Sequence, residues 1–142
     1  MKKFKFKLEA FLKVKKFEEM QRMQDLAKVL GELETEKSQV RDYFSESKKL
    51  LEEESRKSRE GNFNFYFHQA TQRYLAALQI KKKVAEGKIV EILERVKVKQ
   101  DIANKARKDR RVIEILKERR EKKHNYENFK QENLMLDEFN QR

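Results

Sequence analysis

Apolar residues recur along most of this chain in alternating steps of three and four, and the rhythm breaks once. Met23, Leu26, Leu30, Leu33, Val40, Phe44 and Leu51 keep it in the first half, with Lys37 and Ser47 filling gaps. Leu75, Leu78, Ala85, Ile89, Ile92, Val96, Ala103, Ala106 and Ile113 keep it in the second, with Lys82, Lys99 and Arg110 interrupting. This is the a/d repeat of a left-handed coiled coil. Between the two runs, Ser58-Arg59-Glu60-Gly61-Asn62-Phe63-Asn64 gathers a glycine, two asparagines and a serine. Glycine and asparagine accept the left-handed backbone that ends a helix, and serine and asparagine cap the next one. The pattern predicts an all-α fold and a single domain over residues 1–142. Two long helices, at about 4–58 and 64–138, form an antiparallel coiled-coil hairpin with a tip turn over 59–63, within the 58–64 break.

Such a fold-back sets a pairing rule, in which residue i lies near residue 121 − i, for a turn at about residue 60. The rule leaves about 25 carboxy-terminal residues without a partner, an overhang of roughly 35 Å if helical. That overhang carries Tyr126, Phe129, Leu134, Met135, Leu136 and Phe139, too apolar for a solvated tail, so a partner is expected to order it. At the amino terminus, 100° per residue puts Phe4, Leu8, Phe11 and Leu12 on one helix face and Phe6, Phe17 and Met20 on the opposite one. One stripe packs on the returning helix, and the second marks a partner surface. Gly31 and Gly87 sit inside the helices at about 1 kcal/mol each relative to alanine. They read as tolerated defects or as a place where the helices approach closely or bend.

Composition supports long helices: 43% of residues are charged, 37% hydrophobic, and glycine and proline together number only three. Disorder is the rival reading of so much charge, but the heptad rhythm and ten phenylalanines weigh against it. With no cysteine, disulfide and thiolate chemistry are excluded. No run approaches the ~18 apolar residues that span a bilayer, and no apolar core follows the basic first residues as in a signal peptide. A cytoplasmic protein is expected. The net charge of +11 is uneven, for residues 1–17 carry seven lysines against Glu9, and residues 105–123 carry ten Lys/Arg against four acids. The hairpin brings these stretches together at its open end, a positive field suited to an anionic partner.

No catalytic, cofactor-binding or metal-binding residue is expected. There is no Gly-rich phosphate loop, and the two histidines, His68 and His124, lie far apart, without the ligand count of a metal site. A hairpin without a concave pocket excludes no water, so an enzyme is not expected. Phe63, Phe65, Tyr66, Phe67 and Tyr74 beside Lys81-Lys82-Lys83 resemble a single-strand stacking site. The main positive charge lies elsewhere, however, and core packing near the turn is the expected job of Phe63 and Phe67.

The opening Phe4-Lys5-Phe6-Lys7-Leu8, with Leu12, and the closing Leu136-Asp137-Glu138-Phe139-Asn140-Gln141-Arg142 resemble the flagellar export protein FliJ family. The resemblance extends over the whole chain in length, hairpin layout and charge. It implies a coiled-coil stalk similar to the central stalk of rotary ATP synthases. Its paired termini enter the pore of the hexameric flagellar export ATPase and promote ring assembly, and the stalk also binds the export gate membrane protein and export chaperones. For the ATPase it points to Phe6, Lys13, Phe17, Met20, Arg107, Arg110, Arg111, Leu136 and Phe139. For the gate it points to Val40, Tyr43, Tyr74 and Leu78, of which Val40 and Leu78 also fall on the seam. Ser47 stands where the family often has a tyrosine. The implied location is cytoplasmic, peripheral to the inner membrane at the flagellar base, with no nucleic acid bound and no direct membrane insertion. Two other classes remain: a basic coiled coil that binds nucleic acid, and a structural coiled coil that self-associates through its extra phenylalanine stripe.

Overall fold

The computed structural model describes residues 2–142. Two helices pack against each other as a hairpin, α1 (Glu9–Arg59, 51 residues) and α2 (Phe65–Asn140, 76 residues), with no strand among the described residues. Their junction is built by the residues that the break offers. Gly61 takes a φ of 75°, its N–H donates to Ser58 O at 3.3 Å, and the Asn62 N–H donates to Lys57 O at 3.0 Å. That pair of bonds is a Schellman stop, closing the carbonyls the helix end leaves open. Asn64 then caps α2, its side-chain Oδ1 accepting from the Tyr66 and Phe67 N–H groups at 2.9 and 3.4 Å.

The chain divides into two compact units, Asp25–Lys99 and residues 2–24 with Gln100–Arg142. In the first, Val29, Leu33 and Ile92 form a buried cluster to which Ile89 and Val96 add; Leu78 and Ala85 are buried as well. In the second, Leu12 is 1% exposed and Ala103 is equally buried. The α2 seam is the expected one, running Leu75, Leu78, Lys82, Ala85, Ile89, Ile92, Val96, Lys99, Ala103, Ala106, Arg110, Ile113.

The α1 seam corrects the expectation by one residue at every second position. Leu26, Leu33, Val40 and Ser47 point inward as predicted, but Val29, Tyr43 and Leu50 accompany them, while Met23, Leu30, Phe44 and Leu51 are exposed. The cause is the pairs Val29-Leu30, Tyr43-Phe44 and Leu50-Leu51, apolar at both members, which make either phase of the repeat equally greasy. Glu36 falls on the true seam, with one carboxylate oxygen buried and without a hydrogen-bond partner.

Helix α1 begins at Glu9 rather than near residue 4. Residues 2–6 are irregular and 7–8 form a turn; Phe4, Phe6 and Leu8 are sheltered, while Lys3, Lys5 and Lys7 are exposed. Lys-Phe-Lys-Phe-Lys-Leu is thus a period-two pattern, which matches extended chain rather than helix. This segment lies along α2: Lys2 O accepts from Asn128 Nδ2 at 3.2 Å and lies 2.8 Å from His124 Nε2. The Phe4 ring meets the His124 ring at 5.6 Å. The part of α2 without a facing segment is therefore shorter than expected, beginning after Asn128. The pairing rule holds near the turn, where His68 meets Glu54, and drifts away from it, where Arg110 meets Glu19 instead of residue 11. Gly31 and Gly87 have nothing within 4 Å of an added Cβ, so they mark no close approach.

Candidate interaction surfaces

In the unit formed by residues 2–24 and Gln100–Arg142, α1 and α2 are joined by ion pairs at half-buried seam positions. Arg110 Nε donates to Glu19 Oε2 at 2.7 Å, and the same guanidinium binds Glu114. Arg111 adds bonds to Glu114 at 3.1 Å and Glu118 at 3.2 Å, and Lys117 Nζ pairs with Glu9 at 2.8 Å. Hydrogen bonds from Arg111 and Arg110 hold the Glu114 carboxyl below its ordinary value. Lys117 does the same for Glu9, and Glu19 in turn raises Arg110 further.

These contacts sort the residues expected to meet an ATPase. Lys13, Phe17, Met20 and Arg107 are exposed, as are Leu136 and Phe139 beyond Asn128. Arg110 is occupied by its own chain, and Arg111 is exposed but shares Glu114 and Glu118. Phe6 is a correction: at 9% exposure it faces inward, with the Arg120 guanidinium 5.8 Å from its ring centre. It was placed outside by treating residues 4–8 as helix.

The sequence pattern did not reveal the groove beside the amino-terminal segment. Lys2, Lys3, Lys5, Lys7, Arg120 and Lys123 line it, with Phe4, His124 and one acid, Glu127. The charge counts pointed to this region, but the groove arises only because the period-two segment lies on α2.

In the unit Asp25–Lys99, the residues expected to meet the export gate separate. Leu78 is 3% exposed and belongs to the seam, so it offers no contact surface; the heptad, not exposure, explains its apolar character. Val40 and Tyr43 are half-buried. Tyr74 stays open, with its hydroxyl donating to Glu46, a bond that raises the phenol above its usual value. Phe63 is exposed, contrary to its expected core role, with its ring 5.7 Å from that of His68. Phe67 is half-buried under Lys57 Nζ, 3.7 Å from the ring centre. An open groove along α1 is lined by Phe44 and Leu51, two members of the apolar pairs that the seam left out, together with Ser47, Ser55 and Arg59.

Among the described residues no His, Cys, Asp or Glu cluster could hold a metal ion, and no helix is long and apolar enough to cross a membrane. No match is found among protein-family models, curated proteins or solved structures.

Proposed function

We propose that this protein is a non-enzymatic stalk and adaptor of the flagellar type III export apparatus, binding the hexameric export ATPase through its basic unit. The observation that carries the reading is the meeting of both chain ends in one unit. The lysine-rich amino-terminal segment lies on residues 120–128 of α2, so cationic stretches from opposite ends of the sequence share one surface. A positively charged paired end is what an acidic ring interior would receive. Lys13, Phe17, Met20, Arg107, Arg111, Leu136 and Phe139 are the contacts proposed for it. Val40, Tyr43 and Tyr74 are the contacts proposed for the gate protein, and export chaperones are further partners.

The test is a pull-down with the flagellar export ATPase. Lys13→Glu, Arg107→Glu and Arg111→Glu together are expected to abolish association while circular dichroism stays helical. Retention by the triple variant at wild-type level would defeat the assignment.

A further inference from the structure

The first turns of α1 carry two apolar faces, and the helix pairing uses one. Leu12, and Leu8 just before the helix, turn toward α2, whereas Val14, Phe17 and Met20 form an outer stripe, each about half exposed, with Phe11 nearer the inward side. Lys13 and Lys16 flank this outer face, and the exposed Lys2, Lys3, Lys5 and Lys7 precede it. The acids of the stretch are each paired, Glu9 with Lys117 and Glu19 with Arg110 on α2, and Glu18 with its neighbour Lys15. The surface is therefore cationic and apolar together.

We infer that this face docks on an anionic lipid bilayer, lying in the interface without crossing it. A helix with lysines on its flanks and phenylalanine on its outer face settles at the headgroup boundary. Clusters of four to eight Lys/Arg recognise acidic headgroups, each lysine strengthening binding about fivefold. The outer stripe favours a bilayer over the alternatives. It ends at the half-exposed Met23, after about three turns, where Gln24 and the inward Leu26 follow, too short for a partner coiled coil, which needs three to four heptads. A nucleic acid would use the lysines but leave Val14 and Phe17 in water, whereas a bilayer takes both groups. The amino-terminal segment keeps its own rings against α2 and turns its lysines outward, so charge and apolar contact are supplied by separate, preformed parts. Lipid binding does not depend on the stalk reading: Lys13, Phe17 and Met20, also proposed to meet the ATPase, can serve only one of the two at a time, and the lipid assay contains no ATPase.

The experiment is co-sedimentation of the full chain with vesicles of phosphatidylcholine containing about a quarter phosphatidylglycerol. Binding is expected to be at least tenfold stronger than to pure phosphatidylcholine vesicles. Replacing Lys2, Lys3, Lys5 and Lys7 with glutamine is expected to weaken it at least ~50-fold. Phe17→Trp supplies a reporter in a chain without tryptophan; its emission is expected to shift to the blue on anionic vesicles and not on duplex DNA. Equal binding to neutral vesicles, or a glutamine variant that binds normally, would overturn the inference. So would an indole that stays in water while the lysines are needed, since that identifies a binder of phosphates in general. All these positions are exposed, and circular dichroism checks that each variant folds.

Discussion

At Gly61 the backbone enters the left-handed region, where a Cβ crowds the following carbonyl at a cost of about 1–2 kcal/mol. Gly61→Ala is therefore expected to lower stability by that amount in urea unfolding. Gly31 and Gly87 behave in the opposite sense. Each sits in a helix interior with open space around an added Cβ, so Gly31→Ala and Gly87→Ala are each expected to add about 1 kcal/mol. The carboxyls of Glu9, Glu34 and Glu114 are held below the ordinary 4.5 by hydrogen bonds from Lys117, Arg41 and Arg111, in that order. A depressed folded value contributes stability that is present above the unfolded value and lost as pH falls through the folded one. The melting temperature is expected to fall as pH drops below about 4.5, and Glu114→Gln should flatten that slope. Glu34 is solvent-exposed and the Glu9 carboxyl is well hydrated, so their share is small.

At the level of the helices, the α2 seam follows the phase read from sequence, although Val84, Val90, Leu93, Ile102 and Val112 adjoin it as exposed apolar neighbours. The α1 seam was half legible, because Val29-Leu30, Tyr43-Phe44 and Leu50-Leu51 fit either phase and only packing against α2 selects one, as where Val29 and Leu33 cluster with Ile92. The register makes a sharp contrast. Leu33→Ala is expected to cost about 2–4 kcal/mol, and Leu30→Ala, at 44% exposure, less than about 1 kcal/mol. Equal losses would restore the other phase. Glu36, half-buried on the seam with one buried, unpartnered carboxylate oxygen, is expected to stabilise the hairpin by about 1 kcal/mol when replaced by leucine. The amino-terminal segment was misread as helix because six residues of alternation, Lys-Phe-Lys-Phe-Lys-Leu, adjoin a helical run with apolar residues of its own. The period of two was present in the sequence, and it correctly assigns Phe6 to the inside.

For the molecule as a whole, the hairpin and the concentration of charge followed from pattern and composition alone. The cationic groove did not, because its walls come from sequence positions more than a hundred residues apart, Lys2 to Lys7 on one side and Arg120 and Lys123 on the other. Pairing by a fixed sum of residue numbers misses by eight residues at Arg110 and Glu19, enough to misplace which side chains share a surface. The proposed ATPase contact depends on the chain ends being neighbours, and the lipid-docking face uses the same fold-back to hold Phe4 and Phe6 against α2. The chain has no cysteine, so Lys5→Cys and Lys123→Cys can carry two spin labels without further changes, and neither residue lies on the seam. Pulsed electron paramagnetic resonance is expected to give one narrow distance below about 25 Å, roughly two helix diameters. A distribution with no population below about 60 Å, as a single extended helix of ~180 Å between these positions would give, would contradict the fold-back on which everything else stands.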